Sequence, residues 1–357
     1  MTNYQLSGVL RGCDRDTVWV VDGRLSDRQP AGPLEQIRGY CYPGLLDCHT
    51  HPGLRRVPQP LSVEQIRQRL SILARAGITA VRDAGGQQNP NIAHRTGLPK
   101  VIHCGQHIAQ YKRYPRYLAA EIEPKDLVGE ALRQLAVSDG WIKIVGDWID
   151  RSLGADADLT PLWPREVLVD AVQAVHEAGG KVTVHSFARE TVDDLLLAGV
   201  DGIEHGTGMT RDQLVEARDQ GILITPTVHQ IRRFPEFARD GAKFPRYVRR
   251  MLAMDAEREE HLAMMVDVGI RMLMGSDTAE NVAEVNLIDE LIDAVDDGIP
   301  ADRVMAAASY SGRQYLGLPN WQVGAPADVV VFADDPEQDI AVVRQPRLVL
   351  IDGCVPR

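Results

Sequence analysis

Short apolar runs of strand length recur through the middle of this chain, at 44–48, 80–82, 101–104, 141–145, 181–185, 202–205, 222–228 and 272–274. Stretches with helical periodicity separate several of them. Those at 61–76 and 164–178 are the clearest, the second with Pro164 near its start and Gly179-Gly180 just past its end, as helix boundaries require. Strands alternating with helices predict an α/β protein with a parallel sheet, and eight such strands predict a (β/α)8 TIM barrel over residues 43–317. An open doubly wound sheet is the alternative, but no Gly-x-Gly-x-x-Gly segment follows the first run. The two ends read differently. Thr17-Val18-Trp19-Val20-Val21 precedes the turn signal Asp22-Gly23, and strand-like runs at 328–332 and 347–351 precede Asp352-Gly353. Residues 1–42 and 318–357 are expected to join into one small β-sandwich domain.

Composition narrows the classes. The 357 residues fit one barrel of roughly 250 residues plus an appendage. A formal net charge of −11 leaves no basic face for phosphate neutralisation, so no nucleic-acid partner is expected. The one basic and aromatic cluster, residues 111–117, reads as a loop. Five cysteines, Cys13, Cys41, Cys48, Cys104 and Cys354, are scattered without CxxC spacing, which argues against a disulfide framework. With no secretory signal and no bilayer-length apolar run visible, a cytoplasmic enzyme acting on a small molecule, without a membrane partner, is the default. Homo-oligomerisation is left open.

The chemistry sits at the ends of the strand runs. In Pro43-Gly44-Leu45-Leu46-Asp47-Cys48-His49-Thr50-His51, side-chain alternation puts His49 and His51 on one face, where two neutral imidazoles can bind one metal ion. Cys48 faces the other way and reads as buried and apolar. Trp141-Ile142-Lys143-Ile144-Val145 sets a lysine inside a β-branched run, where a buried charge is costly. Either it pairs with a carboxylate at the barrel end, or CO2 converts it to an anionic carbamate that can bridge two metal ions. Lys181-Val182-Thr183-Val184-His185, Gly202-Ile203-Glu204-His205-Gly206 and Met274-Gly275-Ser276-Asp277-Thr278 add two histidines and an aspartate. Six strand-end groups in barrel order match the active-site face of this fold.

These motifs resemble the amidohydrolase superfamily, in particular its binuclear prolidase-like and imidazolonepropionase-like branch, over almost the whole chain. The segment 324–331 resembles that family's return to the small β domain. Imidazolonepropionases typically hold one metal and lack the lysine, so Lys143 points to the two-metal branch. The resemblance implies that His49, His51 and Asp277 bind one divalent ion and that His185 and His205 bind the other, with carboxylated Lys143 and a hydroxide between them. Zinc is the first candidate, with manganese, iron or cobalt as alternatives. It further implies hydrolysis of a C–N bond in an amide, cyclic amide or dipeptide-like substrate, with Asp277 as general base and then general acid. The alternative is an ester, lactone or organophosphate hydrolase, or a lyase or isomerase on the same metal site. Substrate contacts are expected from loops after the strands: His107, where relatives often carry Gly-Gly-His and this chain has Gly105-Gln106-His107, and His229. Arg55 and Arg56 could meet a carboxylate, and Tyr111 and Tyr114 could line the pocket. Asp147 reads as a surface carboxylate, and His176 and His261 as structural.

Overall fold

The computed structural model describes residues 1–55, 59–86 and 94–356; Arg56 lies outside them. Four strands begin the chain: β1 (Tyr4–Leu10), β2 (Thr17–Val21), β3 (Arg24–Ser26) and β4 (Glu35–Pro43). β1 and β2 are antiparallel, and β2 meets β3 through Asp22 and Gly23, both at positive φ. That is the tight hairpin turn the sequence signals. β1 and β4 run parallel, packed so closely that a Cβ on Gly8 would lie 2.3 Å from the Gly39 carbonyl oxygen.

Gly44 links β4 to β5 (Leu45–Thr50), and the barrel follows. After α1 (Val63–Arg75) come β6 (Ile78–Asp83) and β7 (Lys100–His103). Two short strands, β8 (Ile108–Gln110) and β9 (Ala120–Ile122), precede α2 (Leu127–Leu135) and β10 (Trp141–Val145). A hairpin of β11 (Asp147–Ile149) and β12 (Leu159–Pro161) caps the next turn. Then α3 (Arg165–Glu177), β13 (Lys181–Ser186), α4 (Arg189–Ala198), β14 (Gly202–His205), α5 (Arg211–Gln220) and β15 (Leu223–Thr225) alternate. Four helices, α6 (Val228–Ile231), α7 (Phe234–Asp240), α8 (Pro245–Ala256) and α9 (Arg258–Val268), lead to β16 (Arg271–Met272). Finally α10 (Leu287–Asp296), α11 (Ala301–Ala308) and α12 (Tyr310–Tyr315) return the chain to β17 (Val329–Phe332) and β18 (Leu348–Leu350).

Each of the eight apolar runs overlaps a strand, the last by Met272 alone. The fold is of the TIM-barrel α/β type, but its hydrogen-bonded circle is not continuous. β5, β6 and β7 form one parallel ladder; β16, β15, β14, β13 and β10 belong to another, which β8 and β9 extend. The last strand segment returns to the first through three backbone bonds: Cys48 N–H to Met274 O at 2.8 Å, Asp277 N–H to His49 O at 2.7 Å and His51 N–H to Thr278 O at 2.8 Å. Between β7 and β10 no ladder forms among the described residues, because β8 occupies that side of β10. No helix among the described residues is long and apolar enough to cross a membrane.

The expected β-sandwich is corrected. Among the described residues the terminal segments contribute one six-stranded sheet, ordered β18-β17-β4-β1-β2-β3. Side-chain alternation explains its seat. Val329 and Val331 join Leu6, Val18, Val20 and Leu25 in a core on one face. Val330 and Phe332, pointing the other way, join the main barrel core. The barrel itself thus serves as the second layer.

Buried Arg313 on α12 pins the two parts together. It donates to Gly44 O at 3.3 Å, Thr79 Oγ1 at 2.9 Å, Pro319 O at 2.8 Å and Asp328 Oδ2 at 3.2 Å. Replacing it by methionine leaves the Asp328 carboxylate without its cation. Arg313→Met is expected to lower stability by about 3–5 kcal/mol, read from the urea midpoint; an unchanged midpoint would show that the pin carries no stability.

Candidate metal centre

Five ligand-type side chains meet where β5, β10, β14 and the segment after β16 come together. The Asp277 carboxylate holds Oδ1 3.3 Å from His49 Nε2 and 3.2 Å from His51 Nε2. The Lys143 Nζ lies 3.4 Å from the same His49 nitrogen. Suitable ligand atoms of His49, His205 and Asp277 all lie within 4.8 Å of one another. His185 joins by packing, its ring centroid 4.7 Å from that of His205. Two of the rings are hydrogen-bonded through the nitrogen away from the cluster. His51 Nδ1 meets Gly85 O at 2.6 Å, and His205 Nδ1 meets Thr227 Oγ1 at 2.6 Å. His49 Nδ1 stands 2.8 Å from Glu204 Oε2. His185 Nε2 is buried without a hydrogen-bond partner, 3.9 Å from Asp147 Oδ1.

Local backbone geometry aims these groups. His205, Asp277 and Thr227 adopt φ of 68°, 50° and 48°, a left-handed region that costs a non-glycine residue roughly 1–3 kcal/mol. Buried carboxylates brace the turns. Asp47 accepts from Ser276 N–H at 3.0 Å and Ser276 Oγ at 2.6 Å, beside Asp277. Asp147 accepts from Ser186 Oγ at 3.1 Å and Ala188 N–H at 3.0 Å, beside His185. Burial pushes both carboxyls up to about 6. Asp147, fully buried, is therefore not the surface carboxylate its position suggested.

Charge follows burial and neighbours. Burial holds His185 and His205 well below the usual imidazole range, so both stay neutral with a lone pair to give. Burial pushes the Asp277 carboxyl up, yet His49 and His51 hold it well below its usual range, so it stays anionic. Burial and Lys143 push His49 down, but Asp277 and Glu204 carry it above the ordinary value; a cation between those carboxylates would serve as well as a proton. Burial also lowers Lys143, which is 3% exposed and has no carboxylate within 4.0 Å among the described residues. Neutral imidazoles, a carboxylate and an orphan imidazole nitrogen on one buried spot are a donor set that a divalent ion fits.

The amidohydrolase family model matches residues 40–355. The chain belongs to the amidohydrolase family. Uncharacterised proteins of Mycobacterium tuberculosis H37Rv and Mycobacterium bovis are 33% identical to it over 339 residues, covering 94% of this chain and 90% of each relative. A Xaa-Pro dipeptidase with methionine bound in its active site shares the fold, with a TM-score of 0.79, 20% identity and 99% of both chains covered. The A. niger ochratoxinase does so with a TM-score of 0.77, 16% identity and coverage of 99% of this chain and 95% of that one. The fold is thus that of prolidase-like amidohydrolases.

In this amidohydrolase a cavity of about 940 Å³ opens onto the cluster, and His51, His107, Tyr114, Trp148, His229 and Asp277 are among its walls. Both ring nitrogens of His107 are buried without partners, and its ring lies 5.9 Å from that of His51. His229 is braced by Asp293, Nδ1 to Oδ2 at 2.6 Å. Two expectations are corrected. Tyr111 is 50% exposed and covers the Lys112 ammonium instead; Tyr114 takes the wall position, 4.7 Å from Trp148 between ring centroids. Arg55 is half-buried near Arg69 and does not line the cavity. His176 and His261 are tied to Asp201 and Gly206 O, at 2.9 Å each.

Sequence reasoning missed Glu204, Phe187 and Trp148. Glu204 carried a signal, being a charge inside an apolar run just as Lys143 is. The two aromatic residues carried none. Phe187 is nearly buried, with ring centroids 4.3 Å from His185, 4.6 Å from His205 and 4.9 Å from Phe234. Phe187→Ala is expected to cost about 3–5 kcal/mol by chemical denaturation; a cost below 1 kcal/mol would mean that the neighbouring rings close the gap.

Proposed function

We propose that this amidohydrolase cleaves a C–N bond in an amide, cyclic amide or dipeptide-like small molecule, using two divalent ions. His49, His51 and Asp277 would hold one ion, His185 and His205 the other, with carboxylated Lys143 shared between them. Zinc is the first candidate, and manganese, iron or cobalt suit the same ligands. The observation that carries this reading is the Asp277 carboxylate, within 3.3 Å of two histidines and at the base of the cavity. The activities named for the dipeptidase and the ochratoxinase support it.

Bound ions would supply Lewis acidity and lower the pKa of water from about 15.7 towards ~7. The chain's own groups do the rest. Asp277, anionic and open to the cavity, takes a proton from the attacking water. It then delivers that proton to the leaving nitrogen, so that the amine departs neutral. His107, in the cavity wall, and His229, steadied by Asp293, are the side chains we assign to hydrogen-bonding the substrate. Trp148 and Tyr114 give the substrate an apolar wall and keep bulk water from that side. The Lys143 amine adds CO2 and releases one proton. The resulting anion resolves the otherwise costly burial of an unpaired ammonium.

Turnover is to be measured on N-acyl amino acids, Xaa-Pro and Xaa-basic dipeptides, hydantoins and lactones with zinc or manganese present. Asp277→Asn is expected to keep much of its metal while losing about 10²–10⁴-fold in kcat. Full activity in that variant would remove Asp277 from proton transfer, and turnover of lactones alone would remove the C–N assignment. Carbon-13 bicarbonate is expected to give a carbamate resonance that Lys143→Ala abolishes. Metals bound without that resonance would contradict the shared ligand.

A further inference from the structure

Glu204 lies at the centre of the barrel, fully buried and immediately before His205. It is not needed to complete the set of six ligands. Its surroundings are specific. Oε1 accepts from Arg82 Nη2 at 2.5 Å and from the Thr183 hydroxyl. Oε2 stands 2.8 Å from His49 Nδ1; the pair is close without being well aligned as a hydrogen bond, and neither atom has another hydrogen-bond partner among the described residues. Arg82, equally buried, also donates through Nε to Cys48 O at 2.6 Å and lies 5.0 Å above the Trp141 ring. Glu204 is on β14, Arg82 on β6 and His49 on β5, and β15 and β16 separate β14 from β5. The contact therefore spans the barrel interior and holds the imidazole of His49, while Arg82 holds the backbone just before it.

We propose that Glu204 is a positioning residue that fixes the tautomer and ring orientation of His49, with Arg82 anchoring it. This inference rests on the two-ion reading of the site. An ionised carboxylate can only accept, and a neutral imidazole has a single N–H. A carboxylate at Nδ1 therefore keeps the proton there and leaves Nε2 bare. Nε2 is the atom that faces Asp277 and Lys143. His51 and His205 are steadied by neutral oxygens; His49 is steadied by a full negative charge, which makes its free nitrogen a stronger donor to a cation. Arg82 and Thr183 occupy Oε1, so Glu204 acts on the ring through Oε2 without itself competing for the ion.

The competing account is that Glu204 merely balances buried Arg82. Two variants and one measurement on the unaltered protein separate them. Glu204→Gln is expected to weaken metal binding 10–100-fold in competition with a chromogenic chelator, and to shift the visible spectrum of the cobalt-loaded protein. Arg82→Met/Glu204→Gln removes both charges and restores the balance of the interior. It is expected to stay equally weak for metal; wild-type affinity in the double variant would overturn the proposal. Nitrogen-15 histidine spectra of the unaltered, metal-free protein are expected to show His49, identified by its loss in His49→Asn, with the proton on Nδ1. A neutral His49 with its proton on Nε2 and a bare Nδ1 would overturn the proposal whether or not the variants fold. A wild-type protein that binds no metal would instead remove the two-ion reading, and the tautomer measurement would still report on Glu204.

Discussion

The site depends on a short seam of backbone hydrogen bonds. The chain runs more than two hundred residues from His49 to Asp277, yet Asp277 N–H donates to His49 O, and Cys48 and His51 donate to Met274 and Thr278. Those bonds bring the strand that bears His49 beside the segment that bears Asp277, so one carboxylate reaches two imidazoles. Everything between serves to carry the chain round with the right pitch. On the opposite side the circle is interrupted at β7 and β8, where no ligand of the proposed set is carried. Regularity is kept where the chemistry needs it.

The cost of the arrangement is concentrated in the same place. Three non-glycine residues there occupy left-handed backbone conformations, and Asp47, Asp147 and Glu204 are carboxylates taken out of water. Such groups persist when their surroundings over-determine them. Here they do: Asp47 grips the turn bearing Asp277, Asp147 grips the turn after His185, and Glu204 touches His49. Each buried acid is matched to a different element of the cluster. A bare apolar interior would be cheaper to fold but would leave the imidazoles free to rotate.

Much of this was legible in the chain. Strand runs announced themselves because parallel strands buried on both faces are continuously apolar, and His49, His51, Lys143, His185, His205 and Asp277 stood out against that background. The terminal sheet was legible as strands but not as a single layer, since alternation shows that both faces are buried without naming what covers them. Tyr111 and Tyr114 could not be ranked, because the choice depends on a loop path fixed by the bond between Tyr111 N–H and Ile122 O. Asp147 was misjudged for a related reason. Its acceptors are filled by the backbone of residues 187–188 and the hydroxyl of Ser186, which only the fold brings to it.

The order of the six-stranded sheet constrains how the protein comes into being. β4 leads directly into the strand bearing His49 and His51, and β4 is flanked by β1 on one side and by β17 on the other. A ribosome delivers β17 nearly three hundred residues after β4. Until it emerges, one edge of β4 lacks its hydrogen-bonding neighbour and the apolar face of Tyr42 lacks its Phe332 lid. The sheet edge beside the first strand of the barrel is therefore closed late in synthesis, and a nascent chain stalled before β17 would present an open strand edge to chaperones and to its neighbours.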